Sequence, residues 1–257
     1  MFKNRVKEIL KSGKTAWGGA ISDDSDLAAK ATIDTGIDFL WIDLEHRAYG
    51  VSEIRWIPIL CRRQNCVPMI RVAGLDAQLI KKALDSGASA VMIPQINNPE
   101  EAIKAVQYSK YPPEGTRGIS PFWTAFEDVS WDDYLPAANQ ETMVVVQIES
   151  AEGIRNIEAI ANVPGVDVLF LGPTDTSAAL GHIGDVDHPE VQSFIAEFPS
   201  RVAPSGKACG ITHFSFEECK RSYDQGYRFI ASGALLNFGK KAFSSNLNRL
   251  RNLESSI

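Results

Sequence analysis

Residues 67–95 read VPMIRVAGLDAQLIKKALDSGASAVMIPQ, and this stretch decides the fold. Near its ends, Pro68–Val72 and Ala90–Pro94 are short, continuous apolar runs. Runs of that kind suit parallel strands whose outer faces lie beneath helices. Between them, Asp76–Ser86 carries a helix pattern that opens on Asp76 as an N-cap and stops at Gly87. Strand, helix and strand in so short a span are the repeating unit of an α/β protein.

Outward from this unit the same alternation continues. Further strands are predicted near Thr15–Ile21, Asp38–Asp43, Met143–Glu149, Asp167–Gly172, Lys207–Thr212 and Tyr227–Ser232. That makes eight, and a count of eight favours a closed barrel over an open sheet. The 257 residues are therefore read as one domain, 1–257, a single (β/α)8 TIM barrel. Helix patterns occupy Pro99–Ser109, Glu152–Ala161 and Phe216–Gln225. A longer one, Leu235–Leu253, packs either on the barrel or on a neighbouring subunit. The connection from Lys110 to Glu141 is rich in Pro, Gly and aromatics and is read as a functional loop.

The net charge of −6 and the scattered Lys and Arg residues give no footprint for nucleic acid. No apolar stretch approaches the roughly 20 residues that span a bilayer. The cysteines Cys61, Cys66, Cys209 and Cys219 lack CxxC spacing, and the start MFKNRVKEIL lacks a signal-peptide core. Reduced thiols in a cytoplasmic protein are the expectation.

In a TIM barrel the strands' C-terminal ends carry the chemistry. Asp43, Glu45 and His46 follow the second strand, Arg71 ends the third, Gln147 and Glu149 end the fifth, and Asp175 lies just past the sixth. Glu149 and Asp175 form the natural pair for a hard divalent ion such as Mg2+ or Mn2+. The run Gly172-Pro173-Thr174-Asp175 is a tight turn into a helix, read either as a carboxylate-binding helix N-terminus or as a plain turn with Asp175 as N-cap. Arg71 either pairs structurally with Glu149 or stabilises developing enolate charge. Among four histidines His46 is the best general base; His182 and His188 flank a turn, and His213 follows the seventh strand.

With these residues in place, the chain resembles the HpcH/HpaI aldolase family of class II pyruvate aldolases. The matching stretches are DFLWIDLEHRAYG (38–50), residues 67–102, YPPEGTRGIS (111–120), MVVVQIES (143–150) and GVDVLFLGPTDTSAALGHIGDVDHPEV (165–191). The resemblance implies His46 as base, Arg71 as enolate-stabilising arginine, and Glu149 and Asp175 as metal ligands. It implies Gln147, Gly172, Pro173, Thr174 and Asp175 as the substrate-binding positions. It also implies Asp85 as an acid that raises the histidine's basicity, in the family usually from a neighbouring subunit. Mg2+ or Mn2+, with Co2+ as a further option, is the implied cofactor. Pyruvate or another small 2-oxo acid, with an aldehyde, is the implied substrate set. A hexamer built as a trimer of dimers is the implied assembly.

The chain departs from the family's pattern where relatives carry a small, Arg-containing stretch. Here Pro121–Phe126 is PFWTAF, aromatic and without a basic residue. Phe122, Trp123 and Phe126 either meet the distal end of the substrate, favouring a neutral or aromatic aldehyde, or pack an interface. A competing reading keeps the site and changes the reaction, to oxaloacetate decarboxylase, citrate synthase-like or CoA-ester lyase chemistry. A non-catalytic barrel would be expected to lack some member of the His–Arg–Glu–Asp set.

Overall fold

The computed structural model describes residues 3–254. Eight parallel strands close into a barrel in chain order: β1 (Ala16–Ile21), β2 (Phe39–Asp43), β3 (Val67–Arg71), β4 (Ala90–Ile93), β5 (Met143–Ile148), β6 (Val168–Leu171), β7 (Ala208–Thr212) and β8 (Phe229–Ala234). β8 returns to pair with β1, so the sheet has no free edge. Every strand predicted from the sequence is present, with ends that differ by at most two residues.

Successive side chains of a strand point to opposite faces, and here that parity sorts the apolar residues into two cores. Phe39, Trp41, Val67, Met69, Ala90, Met92, Met143, Val145, Val168, Phe170 and Phe229 fill the barrel interior. Leu40, Ile42, Ile70, Val91, Ile93, Val144, Val146, Leu169 and Leu171 face the surrounding helices. Because both faces are buried, the strands read as continuous apolar runs rather than as alternations. Phe39 and Phe229 stack inside the barrel with ring centroids 4.0 Å apart.

The Arg5–Lys11 helix closes the N-terminal end. Val6 is buried in the inner core, and Arg5–Asp38 (2.9 Å) and Lys7–Asp167 (3.0 Å) ion pairs tie the helix to the residues preceding β2 and β6. The opposite mouth is thus the open one.

The Ala77–Asp85 helix forms as read, with the Asp76 carboxylate accepting from the amides of Gln78 and Leu79. Pro99–Ser109 and Phe216–Gln225 match the predicted spans, and the C-terminal helix runs Leu235–Glu254. Two expectations are corrected. The predicted helix Glu152–Ala161 is two short helices, Ala151–Arg155 and Ile157–Ala161, interrupted at Asn156. The connection Lys110–Glu141 is not one loop, because it contains a short 3-10 turn, Phe122–Phe126, and an α-helix, Trp131–Glu141. Ser130 caps that helix through the amide of Asp133, and Tyr134 and Ala138 bury its inner side. Among the described residues no helix is long and apolar enough to cross a membrane.

Candidate active site

The parity that fills the barrel also decides which side chains meet at its open mouth. Asp43 stands two residues beyond Trp41, Arg71 two beyond Met69, Gln147 two beyond Val145, and Glu149 two beyond Gln147. Each continues the inward row of its strand, and all four are buried. β2 and β3 are in a register that sets Asp43 beside Arg71.

Arg71 is held from several sides. Its Nε and Nη2 donate to Asp43 Oδ1 and Oδ2 at 2.9 and 2.8 Å. Its Nη1 lies 3.0 Å from Glu45 Oε2 and 3.5 Å from Gln147 Oε1. The guanidinium carbon sits 4.7 Å from the Trp41 ring centroid. The ion pair with Glu149 considered from the sequence is not the one formed. The register presents Asp43, whose two oxygens match the guanidinium fork. Burial opposes the charge on Asp43, but the hydrogen bonds and charge of Arg71 and the amides of Glu45 and His46 hold its carboxyl below the usual range.

Glu149 is positioned by neighbours of a different kind. Its Oε1 accepts from the backbone N–H of Gln95 at 3.1 Å, and its Oε2 accepts a short hydrogen bond from Gln147 Nε2. Gln95 adopts a left-handed φ of 52°, uncommon for a residue with a side chain. A Cβ on Gly172 would stand 2.5 Å from Glu149 Oε2 and 2.8 Å from Gln147 Nε2, so only glycine leaves room for this carboxylate.

Burial, followed by the charges of Asp175 and Glu45, raises the Glu149 carboxyl to about 7. Burial is also the main cause of the upward shift at Glu45, against the opposing pull of Arg71 and His46. Three carboxylates, those of Glu45, Glu149 and Asp175, therefore converge beside Arg71. This is an oxygen-only donor set, suited to a hard divalent cation. Glu149 and Asp175 are the residues that could hold it.

Asp175 is not an N-cap. The helix begins at Pro173 and runs to Ala179, Gly172 takes the cap position, and Asp175 lies in the first turn. No side chain caps this helix, which leaves its first-turn amides, those of Thr174 and Asp175 among them, free to face an anion. Thr174 and Asp175 are exposed, whereas Pro173 is buried and fixes the helix entry.

His46 projects into solvent, its side chain 61% exposed, with Nε2 3.6 Å from Glu45 Oε2. His213 is turned elsewhere: its Nε2 meets Ser222 Oγ at 2.8 Å, and burial lowers its pKa. Within the chain the partner of Asp85 is Arg117 rather than His46. Asp85 ends a nine-residue helix that starts beyond β3 and runs back along the barrel, which places it about 13 Å along the helix from its mouth end. There Arg117, with a fully buried side chain, donates to Asp85 Oδ1 at 2.6 Å.

Phe126 packs edge-on against both Trp56 and Phe122 beside Asp85, and the three line a cavity of about 300 Å³. Trp123 also lines that cavity but is buried, against Tyr134 and under the guanidinium of Arg62. Two contacts of the site go beyond what the sequence predicts, Gln95 on Glu149 and Asp43 on Arg71. The inward parity of FLWID and the polar residue just after MIP were the available signals.

Fold and site together define a barrel enzyme with an oxygen-donor pocket backed by an anchored arginine. A sequence model of the HpcH/HpaI aldolase/citrate lyase family matches residues 20–237. A hydroxypyruvate/pyruvate aldolase of Paraburkholderia phytofirmans is 36% identical over 256 residues, covering 97% of this chain and 98% of the relative. A 5-keto-4-deoxy-D-glucarate aldolase of Citrobacter koseri is 34% identical over 244 residues, 94% of each chain. The crystal structure of a family protein from Burkholderia cenocepacia superposes with a TM-score of 0.89 at 33% identity, covering 97% of this chain and all of that one. The chain belongs to the HpcH/HpaI aldolase/citrate lyase family and is an enzyme, a carbon–carbon lyase.

Proposed function

We propose that this chain is a divalent-metal-dependent class II aldolase that cleaves or forms 4-hydroxy-2-oxo acids through the enolate of pyruvate, or a close 2-oxo acid, and an aldehyde. The observation that carries this reading is the meeting of Arg71, fixed on Asp43, with the crowded carboxylates of Glu149 and Asp175 at one barrel mouth. The pyruvate chemistry named for the Paraburkholderia phytofirmans relative points the same way.

Glu149 and Asp175 would hold Mg2+ or Mn2+, with Co2+ as a substitute. Such an ion, when bound, supplies Lewis acidity that makes the methyl group of a 2-oxo acid easier to deprotonate. The first-turn amides at Thr174 and Asp175 receive the substrate carboxylate, and Pro173 holds that turn in place. Gln147 orients Glu149 and reaches the same space. Arg71 faces the carbonyl oxygen as it gains negative charge; its Asp43 bond keeps the fork aligned, so little reorganisation is needed. His46, through a water, removes the methyl proton and returns it in the reverse direction. Asp85 assists His46 from a neighbouring subunit.

That assembly is a homohexamer, a trimer of dimers. It is supported by the apolar residues Leu236, Phe238, Phe243, Leu250 and Leu253, exposed along the C-terminal helix. Four free, buried cysteines favour a reducing, cytoplasmic location.

The test is exchange of pyruvate methyl protons in D₂O followed by NMR, which needs no aldehyde. Exchange is expected with Mg2+ or Mn2+ and lost on adding EDTA and in Glu149→Ala. Its absence with every metal, in folded protein, would sink the pyruvate reading. Oxaloacetate decarboxylation, citrate synthase-like condensation or CoA-ester cleavage would then be assayed on the same site.

A further inference from the structure

The segment 181–190, GHIGDVDHPE, joins the Pro173–Ala179 helix to the Pro189–Val202 helix, and the mechanism above uses none of it. It places two imidazoles and a carboxylate together. The His182 and His188 rings stack with centroids 3.4 Å apart and an interplanar angle of 16°. His182 Nε2 lies 2.8 Å from Glu190 Oε2. One ligand atom from each of His182, His188 and Glu190 falls within a 4.8 Å sphere of separations.

The backbone around them is fixed. The His182 N–H donates to the Ser177 carbonyl at 2.7 Å, the Gly184 N–H donates to Ser177 Oγ at 3.0 Å, and Gln192 Nε2 donates to the Val186 carbonyl at 2.9 Å. The side chains therefore start from a preorganised frame.

We propose that His182, His188 and Glu190 form an accessory site for a borderline divalent cation such as Zn2+, separate from the barrel mouth. The donor set decides the class of ion. Two imidazole nitrogens with one carboxylate oxygen suit Zn2+ or its later transition-series neighbours, whereas the oxygen-only mouth suits Mg2+ or Mn2+. The distances are within reach. Tetrahedral Zn2+ with bonds of about 2.0–2.1 Å needs ligand atoms about 3.3 Å apart. The His182 and Glu190 atoms are already closer than that, and the ligand atoms of all three residues lie within 4.8 Å of one another, so rotation of the two stacked imidazoles brings the set to one ion. The charge is favourable too, since residues 181–190 carry Asp185, Asp187 and Glu190 and no Lys or Arg. Bound there, the cation pins the far end of the helix whose first turn presents Thr174 and Asp175. It acts as a brace on the active-site helix and takes no part in the chemistry.

The experiment is calorimetric titration of chelator-treated, full-length protein with Zn2+. The variants are Glu149→Gln, the double variant His182→Gln/His188→Asn, and Glu190→Gln. Asparagine at 188 retains a helix-capping side chain, so the double variant should keep its wild-type melting temperature in EDTA. The expected result is one equivalent less Zn2+ in the histidine variant than in the wild type, with Glu190→Gln binding at least tenfold more weakly. Co2+ used in place of Zn2+ should give visible bands of a nitrogen-ligated site that vanish in the histidine variant and persist in Glu149→Gln. Equal uptake and equal spectra in wild type and histidine variant would overturn the proposal and leave the mouth reading intact. Uptake unchanged by Glu149→Gln but lost with the histidines would uphold it and count against metal binding at the mouth.

Discussion

Asp43 and Arg71 lie side by side in the register of β2 and β3, and two hydrogen bonds of 2.8–2.9 Å lock the guanidinium flat against the aspartate. Arg71 therefore enters the site with its fork already aimed. Its remaining nitrogen faces Glu45 and Gln147, where oxygen chemistry gathers.

Removing either partner leaves a buried charge exposed to the other's absence. Arg71→Ala should cost about 3–5 kcal/mol of stability, the usual penalty for orphaning one member of a buried pair. Arg71→Lys should fold better, yet it loses the bidentate geometry and about 10²–10³ in kcat through the missing donor. Denaturant melts alongside pyruvate exchange rates separate the two losses. Wild-type exchange in the lysine variant would remove Arg71 from the chemistry.

Gly172→Ala is a steric experiment on the metal pocket. The backbone there (φ −96°) is ordinary, so the whole effect comes from a methyl group 2.5 Å from Glu149 Oε2. A displacement of the carboxylate by about 1 Å is expected to cost on the order of 10² in kcat/KM. Metal affinity should weaken in parallel, and this can be read by titration. Unchanged affinity would mean that Glu149 is not a ligand.

Burial and the charges of Asp175 and Glu45 push the Glu149 carboxyl up from its ordinary 4.5 to about 7. A folded-state pKa raised in this way stabilises the protonated folded form. The stabilisation is fully present below about 4.5 and is lost as pH rises through about 7. Metal-free protein should therefore melt higher at pH 6 than at pH 8 where this group dominates. Glu149→Gln, neutral throughout, should lose that part of the pH dependence and melt above the wild type at pH 8 in EDTA. Added Mg2+ or Mn2+ should raise the wild-type melting temperature at pH 8 more than at pH 6, because a protonated carboxyl is a poor ligand. Identical pH profiles for wild type and Glu149→Gln would refute the raised pKa.

His46 is exposed and ends no buried network, so His46→Ala should leave stability within about 0.5 kcal/mol of wild type. Pyruvate exchange should nevertheless fall by about 10²–10⁴ if His46 moves the methyl proton. A folded variant with full exchange would transfer that role to another group.

Phe122 is 66% exposed and packs against Phe126 beside Asp85. Phe122→Asp is expected to shift the assembly to smaller species in light scattering and to lower activity with it. Unchanged assembly with altered aldehyde preference would place the aromatic segment against substrate instead.

Much of this molecule is legible in its sequence. Eight apolar runs separated by helix patterns determine the barrel, because a strand covered on both faces leaves no polar alternation. The barrel in turn sends Asp43, Arg71, Gln147 and Glu149 to one end, since strand parity is a property of the chain alone. What the sequence did not determine was pairing. Whether Arg71 meets Asp43 or Glu149 depends on the register between β2 and β3, a long-range relationship that no local pattern encodes. The same holds for Gln95, whose amide reaches Glu149 only through its left-handed turn, and for the Trp131–Glu141 helix, whose interior proline and polar surroundings hid its helical period. It holds equally for His182 and His188, six residues apart in a turn, whose rings come into contact only because the two flanking helices fix the path between them. Element type is set by neighbours along the chain, and electrostatic partnership by neighbours across it.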